Sequence, residues 1–354
     1  MSDVSAVRSA HAFDEAALER YLAGHVDGFR GPLRVRQFVG GQSNPTYLLE
    51  DAGRPGDSGR RYVLRRKPPG KLLPSAHQVD REYRVLTALA GTGVPVPRTY
   101  ALCEDDAVIG TAFYLMEYVE GRIFREALLP ESLAPAQVRG IFASLAEVLA
   151  ALHRVRPEAV GLAEFGRPGN YFERQIGRWS KIYRASETLR IEPMERLMEW
   201  LPRTIPAADE TTIVHGDFRL GNAIVHPSEP RLVAVLDWEL STLGHPLADL
   251  AYTAMPWSLP AAGLHGYQDL ALGPRGYPTE AEFVADYCRH AGRGEIADWH
   301  FYMAFAMFRL AAIAQGIAGR VRDGTAAGAD AAERGARAPL LAARAWELLE
   351  PMTR

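Results

Sequence analysis

From Leu33 to Val39 the chain alternates apolar and polar residues, LRVRQFV, with the period of two that half-buries a β-strand. The polar stretch GGQSNP breaks the pattern, TYLLED resumes it, and YVLRRK follows a polar hairpin tip at residues 52–60. Residues 74–91 then place Val85, Leu86 and Leu89 on one helical face, with Gly91 as a stop. Beyond the Pro-rich VPVPRTY, two more strand-like runs appear, ALCED and AFYLMEYV. Residues 33–118 therefore predict five strands, mainly antiparallel because hairpins join them, with one inserted helix. Ahead of them, residues 14–27 read as an amphipathic helix capped by Asp14, and residues 1–32 as a helical extension. After Glu120–Arg122 the period changes to that of helices, in residues 135–155, 170–187 and most of the chain from Thr279. The expected fold is α+β, with a small antiparallel β lobe at 33–118 and a larger α-rich lobe at 119–354. Residues 323–337 are rich in Ala and Gly and are expected to be mobile.

Composition narrows the classes. Of 354 residues, 47% are apolar and 23% charged, as in a globular chain, and the net charge of −3 gives no strong pull toward nucleic acid or anionic membrane. Cys103 and Cys288 form no CxxC, so a disulfide framework or thiolate metal site is not expected and a reducing cytoplasm is. The first residues lack the apolar run of a signal peptide. Residues 301–319 are long enough to span a bilayer, but central Arg309 would cost roughly 2.5–3.5 kcal/mol there, so a buried core helix is expected.

Candidate chemistry concentrates in VHGDFRLGN, residues 214–222, set between apolar TIV and AIV, and in LVAVLDW, residues 232–238. Asp217, Asn222 and Asp237 thus fall at or beside the ends of neighbouring strands. Two carboxylates and an amide are hard oxygen donors of the kind Mg²⁺ prefers. They also match phosphoryl transfer: one carboxylate orients or receives the acceptor's hydroxyl proton, while an amide and a second carboxylate hold metal on ATP. A metallophosphatase is the rival for such Gly-Asp and Gly-Asn pairs, but Ala223 follows Gly-Asn here where that chemistry needs His.

The order HGDxxxxN…LDWE resembles the aminoglycoside phosphotransferase and choline kinase-like family of small-molecule kinases. GGQSNPTY, residues 62–86, residues 168–188 and HGDFRLGNAIV resemble more specifically the kinase domain attached to certain animal acyl-CoA dehydrogenases and its bacterial relatives. That likeness runs from about Leu33 to Gly319 and implies a protein-kinase-like two-lobed fold that uses ATP and Mg²⁺. Asp217 is then the residue that orients or deprotonates the hydroxyl, and Asn222 and Asp237 are the metal ligands, converging on the terminal phosphate between the lobes. The turn of Gly40, Gly41, Gln42 and Ser43 covers the phosphates. Arg65 occupies the position where the family carries Lys, with Lys67, on the same strand face, as the alternative. Glu82 pairs with it, and the backbone of Glu117, Tyr118 and Val119 meets the adenine edge. His215 is expected to hold the loop rather than act as base, and Asp249 to brace it.

The acceptor is less determined. Residues 131–203 carry nine acidic and eleven basic side chains, without the acidic excess a polycationic aminoglycoside would favour. Arg174, Arg178 and Lys181 share a helical face near Tyr171 and Trp179, which suits a carboxylate or a coenzyme A phosphate, or is simply solvated. The resemblance points to a hydroxyacyl-CoA or another hydroxylated small anion. The alternatives are a true aminoglycoside kinase and, because of Arg65, a nucleotide-binding pseudokinase serving as an interaction module. Protein phosphorylation is disfavoured because no APE-like element follows LDWE. Monomer and homodimer both remain open.

Overall fold

The computed structural model describes residues 4–39, 44–52, 59–68, 78–326, 328 and 330–353. The chain divides into two compact units. The first comprises Met1–Arg122, Ala223–Pro227 and Val233–Leu240.

Its sheet contains β1 (Val4–Ser5), β2 (Leu33–Phe38), β3 (Thr46–Asp51), β4 (Arg61–Arg66), β5 (Thr99–Cys103) and β6 (Phe113–Glu117), antiparallel in the order β1-β2-β3-β4-β6-β5. The five strands expected from alternation are present. The sixth, β1, is a two-residue edge pairing of Val4 with Phe38, too short to carry a period. Alternate residues Tyr47, Leu49, Tyr62, Leu64, Phe113 and Leu115 turn to one face and bury against Leu18 and Leu22 of helix α1 (Glu15–His25). Asp14 caps this helix by accepting the Ala17 amide at 2.9 Å. The expected extension is thus half of a hydrophobic core: each buried leucine contributes roughly 1.5–3 kcal/mol, and periodicity shows an apolar face without showing what it covers. The opposite sheet face meets α2 (Val79–Leu89), whose Val79, Glu82, Val85, Leu86 and Leu89 are buried. A short helix, α3 (Asp106–Ile109), lies between β5 and β6, capped by Asp105 and ended by left-handed Gly110. After β7 (Thr212–Val214), which belongs to the second unit, come β8 (Ala223–Val225) and β9 (Leu232–Val235), which pair with each other. β8 is also bridged to Arg122, and the Val235 amide donates to the Pro95 carbonyl at 2.8 Å. The Gly40–Ser43 turn lies outside the described residues.

The second unit comprises Ile123–Asn222, Ser228–Leu232 and Ser241–Arg354. It holds α4 (Pro135–Arg154), α5 (Tyr171–Ala185), α6 (Glu192–Trp200), β10 (Thr242–Gly244), α7 (Pro246–Ala254), α8 (Ala261–Leu264), α9 (Glu280–Ala291), α10 (Trp299–Arg322), α11 (Ala331–Ala336) and α12 (Ala338–Thr353). β7 pairs β10 antiparallel, and α9 packs on α4. Helix α10 is the hub: α5, α7, α11 and α12 pack on it. α4 and α10 are both long and apolar enough to cross a membrane, and 83% of the apolar window of α10 is buried within the unit. Part of the stretch expected to be mobile, residues 323–337, is helical among the described residues. Ala331–Ala336 is helix α11, with Ala331 and Gly335 buried, and a Cβ at Gly335 would come within 2.9 Å of the Ala318 backbone. The small residue at Gly335 permits close helix packing.

Candidate active site

In the first unit, β4 and β6 place Arg65 directly opposite Tyr114 on the face that α2 covers. Glu82, on the inner face of α2, reaches both. Its Oε2 lies 3.2 Å from Arg65 Nε and accepts the Tyr114 hydroxyl at 3.0 Å. Its Oε1 accepts from Asn44 Nδ2 at 2.9 Å. On its other side, the Arg65 guanidinium donates to Asp237 Oδ1 at 3.0 Å. Burial acts against the Arg65 charge, but Glu82, Tyr114 and Asp237 outweigh it and hold the group ionised well above its ordinary value. Asp237 sits after β9 with φ of +65°, a left-handed conformation that costs of order 1–3 kcal/mol for a residue with a side chain. Trp238 beside it is buried and donates its indole N–H to the Val235 carbonyl at 3.0 Å.

Of the two basic residues that alternation puts on one face, Arg65 meets Glu82. Lys67 lies past the strand end, half-exposed, with Nζ 4.0 Å from Asp80. Neighbouring Arg66 turns to the opposite face, buried, donating to the carbonyls of His11 and Ile109. Glu117 ends β6 and accepts the Arg98 amide at 3.2 Å, Tyr118 lies under the Arg61 guanidinium at 4.2 Å, and Val119 follows it half-buried.

In the second unit, β7 delivers the chain into His215-Gly216-Asp217. Gly216 takes φ of +86°, which a Cβ would oppose. Buried Asp249, in the first turn of α7, accepts the amides of His215 at 2.5 Å and Gly216 at 2.8 Å, and His153 lies 3.5 Å away. Burial alone would raise the Asp249 carboxyl; His153, His215 and the Gly216 amide outweigh it and hold it below its usual range. His215 is fully buried, and its Nδ1 accepts the Asp217 amide at 3.1 Å. Arg309, buried in the middle of α10, donates to the Gly216 carbonyl at 2.7 Å, between the rings of Trp179 and Tyr252.

These bonds aim Asp217. Its Oδ1 accepts the Tyr252 hydroxyl at 2.5 Å, and its Oδ2 accepts Asn222 Nδ2 at 2.7 Å. Arg219 Nε lies 3.3 Å from Oδ1. Burial and the Asp217 charge raise the Tyr252 hydroxyl, so it stays a donor at neutral pH. Asn222 also donates to the Asp217 carbonyl at 2.9 Å. With its nitrogen so used, its amide oxygen is the atom able to face a cation.

Tyr252, Tyr114, Asn44, His153 and Arg219 were not singled out in the sequence. For Tyr252 a signal existed: it follows Asp249 by three residues, so both lie on one face of α7.

Residues 34–305 match the model of the phosphotransferase enzyme family, and the chain belongs to that family. It has the protein-kinase-like fold of that family, a small antiparallel sheet with a larger helical part. Mouse acyl-CoA dehydrogenase family member 10 is 46% identical over 344 residues, 96% of this chain and 32% of that protein. The chain thus spans about a third of that relative's length. A structure from Ralstonia eutropha, provisionally described as an aminoglycoside phosphotransferase, is 48% identical with a TM-score of 0.87, covering 96% of this chain and 99% of that one. A choline kinase from Cryptosporidium parvum shares the fold at 12% identity and a TM-score of 0.63, covering 96% and 97%. A mutant of aminoglycoside phosphotransferase APH(4)-Ia, in ternary complex with ADP and hygromycin B, does so at 15% and 0.59, covering 95% and 97%.

Proposed function

We propose that this chain is an ATP- and Mg²⁺-dependent phosphotransferase that moves the γ-phosphoryl group to a hydroxyl of a small molecule, a hydroxyacyl-CoA or another hydroxylated anion. The observation that carries the reading is the Asp217–Asn222 pair. One amide fixes the carboxylate beside which a hydroxyl must lie and presents an oxygen suited to a metal. The ADP bound by a protein of the same fold supports nucleotide use.

Asn222 and Asp237 would hold Mg²⁺, and their hard oxygens fit that ion. Bound there, the metal would supply charge neutralisation on the phosphate oxygens. The reading requires Asp237 and the Asp217–Asn222 pair to serve one nucleotide. Arg65, kept cationic by Glu82, is the residue assigned to the α and β phosphates, and Gly40, Gly41, Gln42 and Ser43 to the cover. In the transfer, the acceptor oxygen bonds to γ-phosphorus as the bond to the β–γ bridging oxygen breaks, and ADP leaves with that electron pair. Asp217 has a donor on each oxygen, which fixes the direction in which it meets the acceptor. It orients the hydroxyl and takes its proton late, as a loose transition state allows.

The test is Mg-ATP consumption over hydroxyacyl-CoAs, aminoglycosides, choline and sugars, with product mass locating the phosphate. Turnover with a hydroxyacyl-CoA is expected. Tight Mg-ATP binding with no productive acceptor would instead favour the nucleotide-binding module, the reading that Arg65 in place of Lys supports.

A further inference from the structure

Helix α5 carries a feature that phosphoryl transfer by Asp217 does not use. Arg167, Glu173, Arg174, Gly177, Arg178 and Lys181 line a cavity of about 790 Å³ in the second unit, within the range of small-molecule pockets. Four cations face it against one carboxylate. Among the described residues, Arg167, Arg178 and Lys181 have no carboxylate within ion-pair distance. The same helix shows what neutralisation looks like: Arg184, one turn on, is bonded by both outer nitrogens to Glu195 at 2.6 and 2.5 Å. Arg174 is anchored through the Arg167 carbonyl at 2.6 Å, and Arg178 lies against the Trp179 ring at 5.5 Å.

Gly177 is the second observation. A glycine inside a helix costs about 1 kcal/mol relative to alanine, and tight packing is the usual reason for one. Here a Cβ would meet nothing within 4 Å. Packing therefore does not explain this glycine. Its effect is to leave bare helix surface between residues 173–174 on one side and 181 on the other, one floor flanked by cations. Arg174 and Lys181 are seven residues apart, about 10 Å along the axis. That spacing suits an extended anion with at least two charged groups, one for each end of the floor. The helix is also fastened to the reaction loop, because Trp179 and Tyr252 both lie against Arg309, which holds the Gly216 carbonyl.

We propose that this groove seats the phosphate-bearing tail of the acceptor, a chain with two or more phosphate charges spread over about 10 Å. Its role toward an acceptor rests on the phosphotransferase reading; its affinity for phosphate does not. The guanidinium groups at Arg174 and Arg178 suit phosphate oxygens bidentately, with Lys181 as a point charge at the far end.

Inorganic tripolyphosphate is titrated into the full chain with Mg-AMP-PNP in excess, so that nucleotide-phosphate contacts are already occupied. Arg178→Glu with Lys181→Glu is expected to weaken binding at least tenfold. Gly177→Leu, which alters no charge and improves helix propensity, is expected to do the same by filling the floor. Unchanged affinity in Gly177→Leu, with its circular dichroism intact, identifies a merely solvated cationic face and overturns the proposal. With a phosphate-bearing acceptor, Gly177→Leu should raise that acceptor's KM about tenfold while kcat and the KM for ATP hold. Loss of the tripolyphosphate effect with turnover retained removes the groove alone. A groove that binds the probe in a chain without turnover removes the phosphotransferase reading alone.

Discussion

Asp217 illustrates how much chemistry one side chain takes from its neighbours. Asn222 and Tyr252 hold its two oxygens, so replacing it with Asn leaves the loop's shape largely intact while removing the charge that orients the hydroxyl. Asp217→Asn is expected to lower kcat by about 10²–10⁴-fold with ATP affinity little changed, read by steady-state kinetics and calorimetry. Equal turnover would remove Asp217 from this role. Tyr252→Phe deletes one hydrogen bond to a charged group, for which about 1.5 kcal/mol corresponds to a tenfold fall in kcat. At Asp237 the expected loss is different: Asp237→Ala should abolish Mg²⁺-dependent ATP binding, and calorimetry showing unchanged binding would refute the assignment. The sequence supplied Asp217, Asn222 and Asp237 because their spacing is local. It left Arg65 and Lys67 open because alternation says which residues share a face, not which of them an acidic partner on a distant helix will meet. β4 stops at Arg66, and Arg65 rather than Lys67 is the residue that meets Glu82.

At the scale of elements, two contacts set the site's rigidity. β4 and α2 are joined through Arg65 and Glu82, both largely buried. Removing Glu82 leaves a guanidinium short of one partner in a low-dielectric setting. Glu82→Ala is expected to cost about 3 kcal/mol in urea unfolding, at the lower end for a broken buried pair because Asp237 remains. The other contact is the start of α7. His245 caps it by accepting the Leu247 amide at 3.2 Å, and burial pushes its imidazole down to about 4. The folded state therefore binds fewer protons than the unfolded state between roughly pH 6.5 and 4. This contribution is present above pH 6.5 and is lost as pH falls toward 4, by about 3 kcal/mol in total. His245→Asn keeps a side-chain acceptor at the cap without a titrating group. Its urea midpoint should fall less than that of the unaltered chain between pH 7 and pH 4.5. These elements were legible as helices and strands, but their partners were not. An amphipathic stripe at residues 14–27 does not say that it covers β3, β4 and β6.

For the molecule as a whole, the first unit is assembled from three separate stretches, and β9 brings Asp237 to Arg65, 172 residues away in the chain. Nucleotide should stabilise the fold by mass action. At a hundredfold excess over Kd, Mg-AMP-PNP adds about 2.7 kcal/mol, a rise in melting temperature of about 4 °C for a chain of this length. Differential scanning fluorimetry should show that rise in Asp217→Asn and lose it in Asp237→Ala. A rise surviving in both would mean that the nucleotide binds without Asp237.

By itself the sequence determined the fold class, the order of strands and helices, and the spacing of Asp217, Asn222 and Asp237. All of these are written in short-range periods and motifs. The tertiary structure decided that Arg65 faces Glu82, that α1 belongs to the core, and that Tyr252 holds Asp217. Those outcomes depend on which surfaces pack together. A buried charge acquires its role from neighbours distant in the chain, and no local period records them.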